Sequence, residues 1–397
     1  MDEQTSSQAQ SIAHQRLRQV TQESRDAAKG RAMARRRIGL ESNIEDQAHY
    51  SLPEVLSHCK TARFSNSTWL SRLQKLLASG EANPDEFFVG PDGSFNLHSL
   101  SNVVSGGAPG ESSDSTSQLL ALRCAANLGP LDEKHGLLMA RAMGPYLMTL
   151  LSNNSVSIVE ATAITIGNLA ISGFRVSKVL MNQGAVLKMI QLMQNNKFFL
   201  GDESVLPAVL YALYHLLHSN IAEENFAIDE VDQVTMETIK LLLKSPNKAP
   251  IELYWVLFLL SCDPNQHERL AEERVIHSCL DICTYEIFQK SDPRPLVKVV
   301  TPLVRLLANL SGGPAASEKV CLLVVQHPDV TAILMALLGT NYTHLCKETL
   351  WWFSNMINSD SVVVQEQFVE LNLMDRLEFH TIQAVQKLDP YAPILTH

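Results

Sequence analysis

A short phrase recurs at a nearly regular interval along the chain. It has the form apolar, apolar, three variable residues, Asn, Leu, and successive copies lie 41 to 50 residues apart. Self-similarity at this period is typical of solenoids, in which each unit buries its apolar face only against its neighbours. The chain is therefore expected to fold as an array rather than round a single core. The Asn position of the six copies holds Asn127, Asn168, His215, Leu259, Asn309 and Asn355.

The residues between two copies follow a consistent order. In the clearest unit, Met143–Pro145 opens an apolar helix, Ser152–Ser155 makes a turn, Ile158–Leu169 forms a long amphipathic helix, and Val176–Met181 forms a short one before a corner at Gly184. This pattern predicts an all-α fold, a right-handed armadillo-repeat solenoid of about seven degenerate repeats, because a HEAT unit has only two helices. We expect the long third helix of each repeat to line the concave face.

Composition supports a helical array. Hydrophobic residues make up 46% of the 397 residues, whereas the chain has only 18 Gly and 17 Pro, the residues that interrupt helices. We predict a basic N-terminal segment over residues 1–45, a solenoid over 46–390 and a tail over 391–397. Two helical patterns within Ser51–Ala78 open the solenoid, and the Gly- and Ser-rich stretch near 90–117 predicts a flexible loop inside it.

Charge and motif content argue against several functions. The formal net charge is −10 and the pI about 5.7, whereas a general nucleic-acid binder needs a basic surface. Seven cysteines without zinc-ligand spacing favour a reduced intracellular compartment and predict no metal site. The longest apolar stretches, Val205–Leu217 and Leu253–Cys262, are shorter than the ~20 residues that span a bilayer. Since no nucleotide-binding or hydrolase motif occurs, we expect a binding protein without cofactors rather than an enzyme.

Several repeats resemble those of the importin alpha family. The last one, CKETLWWFSNMINSDSVVVQEQFVELNLMDRL, places Lys347 and Glu348 before a Trp-x-x-x-Asn pair, Trp351 and Asn355, as in the late repeats of that family. PLVRLLANLSGG resembles the preceding repeat, in which Arg stands at the Trp position, and WLSRLQKLLASGEANPDEFF resembles the first. The resemblance covers nearly the whole chain. Where this sequence departs from the family's repeat pattern, it is similar to a divergent animal branch of the family. The name of that branch implies a transmembrane segment.

The resemblance implies which residues bind a peptide. In the family, the third-helix Asn hydrogen-bonds the backbone of an extended cargo peptide, because its amide both donates and accepts. The Trp one turn earlier stacks on the aliphatic stems of cargo lysines. Only Trp351 and Asn355 keep both members of such a pair here. The alternative is that each Asn bonds a helix end or the neighbouring repeat. The implied peptide-binding residues are Asn127, Asn168, Trp255, Asn309, Trp351 and Asn355.

The N-terminal segment is basic. Positions 16–37 carry eight basic residues against two acidic ones. Their order resembles that of an importin-beta-binding helix, and the resemblance therefore implies an importin-beta-like receptor as partner. The alternatives are a pseudo-cargo that folds back into the groove and a solvated tail. The implied receptor-binding residues are Arg16, Arg18, Arg25, Lys29, Arg31, Arg35, Arg36 and Arg37.

The resemblance to the importin alpha family implies a nuclear import adaptor of the cytoplasm and nucleus. Its partners would be the receptor and a cargo protein with an extended basic peptide, without nucleic acid or membrane. The alternative is a divergent armadillo scaffold for protein–protein interaction that has no transport activity. This alternative includes a scaffold that acts at a membrane.

Overall fold

The computed structural model describes residues 50–62, 64, 66–79, 83–88, 93–107, 115–129, 132–194, 205–221, 233–243, 249–289, 296–313 and 316–388. Within these ranges all regular secondary structure is helical. The chain divides into two compact parts, Met1–Asn225 and Phe226–His397, here called unit 1 and unit 2. The predicted basic segment 1–45 and the tail 391–397 lie outside the described residues.

The described part of unit 1 consists of helices in groups that end on a long one. A 3₁₀ turn, Pro84–Phe87, precedes the third α-helix. The α-helices are α1 Leu52–Thr61, α2 Ser67–Ser79, α3 Gly93–Val104, α4 Ser115–Leu128, α5 Glu133–Leu150, α6 Val156–Ile171, α7 Phe174–Asn182, α8 Ala185–Gln194 and α9 Val205–Ile221.

The described part of unit 2 repeats this organisation. A 3₁₀ turn, Pro264–Gln266, precedes its third α-helix, and a π-helical turn, Tyr285–Gln289, extends its fourth. The α-helices are α10 Gln233–Leu243, α11 Ile251–Leu260, α12 His267–Leu270, α13 Glu273–Thr284, α14 Leu296–Ser311, α15 Ser317–Val325, α16 Val330–Gly339, α17 Thr343–Ile357, α18 Val362–Glu370 and α19 Leu373–Leu388.

The long helices that close successive groups pack directly on one another. In unit 1, α2 contacts α4, α4 contacts α6 and α6 contacts α9; in unit 2, α11 contacts α14 and α14 contacts α17. Side chains such as Ile166, Leu169, Leu306 and Leu310 are fully buried between these neighbours. The short, medium and long helices of α7–α9 and α15–α17 confirm the predicted all-α repeat architecture.

Backbone and capping chemistry set the helix ends. Gly184 between α7 and α8 has φ +88°, in the left-handed region that glycine adopts without steric penalty. This confirms the predicted corner. The Asp132 carboxylate accepts a hydrogen bond from the backbone N–H of His135 at 2.8 Å, and thereby caps the N-terminus of α5.

The predicted loop near 90–117 is wrong where the structure describes it as helix. Its Gly and Ser content suggested a loop, but Gly93–Val104 forms α3 and buries an apolar stripe that includes Leu97, Leu100 and Val104. Its polar residues serve packing as well, since the Ser101 hydroxyl donates to the carbonyl oxygen of Ala142 at 3.1 Å. Residues 90–92 and 108–114 of the predicted loop lie outside the described residues.

The predicted start of a helix at Met143–Pro145 is also wrong. Helix α5 runs from Glu133 through Pro145 to Leu150. Met139, Met143 and Leu147 recur every four residues and are fully buried, so the core contact continues through the proline.

No single helix within the described ranges is long and apolar enough to cross a membrane. The pair α15 and α16, which is bent by 93° at its break, meets the length and composition requirements only when the two helices are taken together.

Candidate functional site

The asparagine at the centre of unit 1 joins three third helices. Asn168 of α6 is fully buried. Its Nδ2 donates to the carbonyl oxygen of Ala126 on α4 at 2.7 Å, and its Oδ1 accepts from the hydroxyl of Tyr211 on α9 at 2.7 Å. Both ends of the amide are therefore used between repeats. In this conformation Asn168 presents no hydrogen-bonding group to a peptide.

The surroundings of Asn168 are closely packed. A Cβ added to Gly129 would lie 2.9 Å from the Cβ of Asn168, and one added to Gly167 would lie 2.6 Å from the ring of Tyr211. Asn127, at the equivalent position one repeat earlier, is also buried, with 8% of its surface exposed. The predicted peptide-binding residues of unit 1 thus lie inside the helix stack rather than on its surface.

The asparagines of unit 2 also bond the preceding repeat but remain partly exposed. The Nδ2 of Asn355 donates to the carbonyl oxygen of Ala308 at 2.8 Å, which is the same register as that between Asn168 and Ala126. The Nδ2 of Asn309 donates to Ser261 Oγ at 2.9 Å. Both side chains are half-buried. Within the described residues, the Oδ1 of Asn355 has no hydrogen-bond partner and is available to a ligand.

Arg305 of α14 lies beside the predicted Trp255 of α11. Its guanidinium carbon lies 5.9 Å from the centre of the Trp255 ring and 5.5 Å from that of Phe258. Its Nη2 is 2.9 Å from the Glu348 carboxylate, and both side chains of the pair are largely buried. The surface therefore already holds one cation between an indole face and a carboxylate.

Helix α17 carries a polar stripe along one face. His344, Glu348, Trp351 and Asn355 recur every three or four residues and therefore share this face. Partial desolvation, and then the positive charge of Arg305, lower the pKa of His344, while Glu348 opposes them. Trp351 is half-buried, whereas Trp352 points about 100° away and is fully buried.

These groups can bind an extended cationic chain. An indole face suits the aliphatic stem and charge of Lys or Arg, and a nearby carboxylate favours the cation. A half-exposed Asn amide suits a peptide bond, which needs both a donor and an acceptor. In unit 2, the predicted residues Trp255, Asn309, Trp351 and Asn355 lie on the contacting helices α11, α14 and α17.

Other parts of the site were not predicted or lie elsewhere. Sequence reasoning missed the roles of Tyr211, which covers Asn168, and of Ser261, which holds Asn309. The only signal for Tyr211 was its place at a Trp position of the repeat. All eight predicted receptor-binding residues lie outside the described residues.

Comparisons with known proteins support the fold. No family model matches the chain. An engineered protein of known crystal structure is 14% identical, with a TM-score of 0.56 over 94% of this chain and 87% of that one. A designed armadillo repeat protein is also 14% identical, with a TM-score of 0.51 over 65% of this chain and 99% of that one.

A second designed armadillo repeat protein, in complex with peptide (KR)4, is 14% identical, with a TM-score of 0.50 over 65% of this chain and 98% of that one. The chain has the armadillo-repeat fold. Membership of the importin alpha family stays a prediction.

Proposed function

We propose that the protein is a scaffold that binds an extended basic peptide on the third helices of unit 2. The observation that carries the proposal is the α17 stripe, in which half-exposed Trp351 and Asn355 follow Glu348 on one helix face. Arg305 demonstrates the chemistry within the chain, because its cation lies between the Trp255 ring and the Glu348 carboxylate. The designed armadillo protein bound to peptide (KR)4 supports the same ligand class.

The test is a binding titration with the full chain. A fluorescein-labelled peptide of alternating Lys and Arg should bind, and its affinity should fall about tenfold in Trp351→Ala and several-fold in Asn355→Ala, because a hot-spot ring is worth more than one exposed amide. The affinity should also fall with added salt. Fluorescence anisotropy measures all three effects.

Matched variants separate the site from general surface effects. Phe95→Ala removes an exposed ring and Asn102→Ala an exposed amide, both on α3 of unit 1 and so away from the stripe. Both should bind the peptide like the wild type. Unchanged affinity in Trp351→Ala, or an equal loss in Phe95→Ala, would show that the stripe does not bind the peptide.

The finer version of this function is nuclear import. In it, the basic segment 1–45 binds an importin-beta-like receptor, and the groove carries a cargo peptide. The segment should bind importin beta at low salt and lose affinity when Arg35, Arg36 and Arg37 are all replaced by Ala, since these residues supply much of its charge. If the triple replacement has no effect, the segment does not act as the receptor-binding helix.

A second candidate function is a protein-interaction scaffold without transport activity. It is favoured by unit 1, where Asn168 is fully buried and hydrogen-bonded to both neighbouring repeats. An import adaptor that uses asparagines along its whole length would need those amides exposed. Binding of the basic peptide without any receptor binding by segment 1–45 would support this candidate.

A further inference from the structure

Exposed apolar side chains are concentrated at the end of unit 2. Six of the thirteen large hydrophobic side chains that are exposed within the described residues lie on α18 and α19, the last two described helices. Their exposed fractions run from 39% to 79%. Such clustering differs from the scatter of single apolar residues on ordinary surfaces. This end surface consists of Val362, Val363, Val369, Met374, Phe379 and Val385.

Three of these side chains, those of Val362, Val369 and Phe379, lie on the sides of their helices that face away from the preceding repeat. Helix α18 packs against α15, and Val364 and Phe368 are its buried residues. At 100° per residue, Val362 and Val369 fall on the opposite side of α18. Likewise α19 packs against α16 and α17 through a face that contains Leu377, and Phe379 lies well away from that face.

The preceding groups of unit 2 show what covers such a pair of helices. A third helix packs against the second helix in each, α14 against α13 and α17 against α16. No third helix packs on α19 within the described residues. A solenoid that ended in a capping repeat would present a polar outer face here. The end surface instead has the apolar character of an internal contact between repeats.

The charges around the end surface select its occupant. Among the side chains of α18 and α19 that the structure describes are four exposed carboxylates, against one exposed guanidinium, that of Arg376. A second copy of the same surface would bring like charges together, and an anionic membrane would be repelled. A partner with basic residues beside an apolar stripe fits both features. The carboxylates are those of Glu366, Glu370, Asp375 and Glu378.

We propose that the end surface docks a basic amphipathic helix of a partner protein, in the position that a third helix takes in the preceding groups. The helix buries its apolar stripe on Val369 and Phe379 and sets its cations beside Glu370 and Glu378. This inference is independent of peptide binding along the α17 stripe, since Trp351 takes no part in it.

The test uses the full chain and a designed peptide. The probe is a fluorescein-labelled Leu/Lys peptide of about five helical turns, with Leu on one face. It should bind, whereas a scrambled peptide of the same composition and a Leu/Glu version should not. The double variant Val369→Ser, Phe379→Ala should weaken binding about tenfold, because both side chains leave the contact.

Three further arms make the outcome decisive. The matched double variant Leu187→Ser, Phe95→Ala removes equally apolar side chains that are 45% exposed elsewhere, and should bind like the wild type. Trp351→Ala should also bind like the wild type, which separates this surface from the proposed groove. Circular dichroism checks that each variant is folded.

Several results would overturn the proposal. They are unchanged binding in the Val369→Ser, Phe379→Ala variant, equal binding of the scrambled or Leu/Glu peptide, and a self-association that the same variant abolishes. Binding to phosphatidylserine vesicles that depends on Phe379 would assign the surface to a membrane instead.

Discussion

At the scale of single residues, the asparagine at the same position of two repeats is closed off in one and half-exposed in the other. Asn168 and Asn355 donate in the same register to the third helix of the preceding repeat, at 2.7 and 2.8 Å. Tyr211 then covers Asn168 from α9, the third helix of the next repeat, whereas Asn355 stays half-exposed. The inter-repeat hydrogen bond is thus common to both positions, and availability for a ligand depends on the residue that stands one repeat later.

This difference predicts unequal effects on stability. Asn168→Ala should lower the free energy of unfolding by about 2 to 3 kcal/mol, because the buried Ala126 carbonyl then keeps only the longer bond from the Gly129 N–H, at 3.3 Å, and the Tyr211 hydroxyl loses its Asn168 acceptor. Asn355→Ala should lower it by about 1 kcal/mol, since water can replace the amide there. Urea unfolding followed by circular dichroism measures both.

Tyr211→Phe is the matched control for the first variant. It removes only the hydroxyl, keeps the ring over Gly167, and should cost about 1 kcal/mol. Equal urea midpoints for Asn168→Ala and the wild type would contradict the inter-repeat role of this amide.

At the scale of elements, burial overrode local sequence signals twice. Helix α3 forms although its sequence, GSFNLHSLSNVV, is rich in Gly, Ser and Asn, because one face of it is buried against other helices. Helix α5 continues through Pro145 because the buried stripe of Met143 and Leu147 continues on both sides. Propensity is a weak prior that tertiary contacts routinely override.

Helix α3 supplies the element-scale prediction. Leu100 is fully buried, so Leu100→Ala should destabilise unit 1 by about 2 to 5 kcal/mol, whereas Phe95→Ala, at a 45% exposed position of the same helix, should have little effect. Hydrogen exchange should show protected amides over residues 97–104 in the wild type. Rapid exchange of these amides, together with unchanged stability of Leu100→Ala, would show instead that these residues form a loop.

At the scale of the whole molecule, buried thiols are spread through both units. Cys59 and Cys124 lie in unit 1 and Cys279, Cys283 and Cys321 in unit 2, all without a disulfide. Burial raises the pKa of Cys59 and of Cys279 from 9.0 to about 12. In the folded protein these thiols stay neutral at a pH at which the unfolded chain would lose their protons.

The sign of the resulting pH dependence follows from this shift. A raised folded-state pKa gives stability that is fully present below the unfolded value of about 9 and is lost as pH rises toward 12. The urea concentration at the unfolding midpoint should therefore be constant from about pH 7 to 8 and lower at about pH 10. Replacing both Cys279 and Cys283 by Ala should reduce the slope. A midpoint that is constant or rises over this range would contradict the prediction.

The repeat architecture followed from the sequence because it rests on periodic burial. The spacing of the phrase and the corner at Gly184 express contacts that every unit makes with its neighbours, so each copy adds to the same signal. The stripe of Trp351 and Asn355 was predictable for a similar reason, since residues four apart on a helix share a face.

The tertiary structure alone decided which of these positions remain open to a ligand. The closure of Asn168 depends on Tyr211, 43 residues away, and the filling of the Trp255 face depends on Arg305 and its partner Glu348. No local pattern encodes whether a side chain from the next repeat covers a given amide or ring. The sequence thus determined the repeat, because periodicity is local, whereas packing decided the extent of helices such as α3 and α5 and the exposure of these side chains.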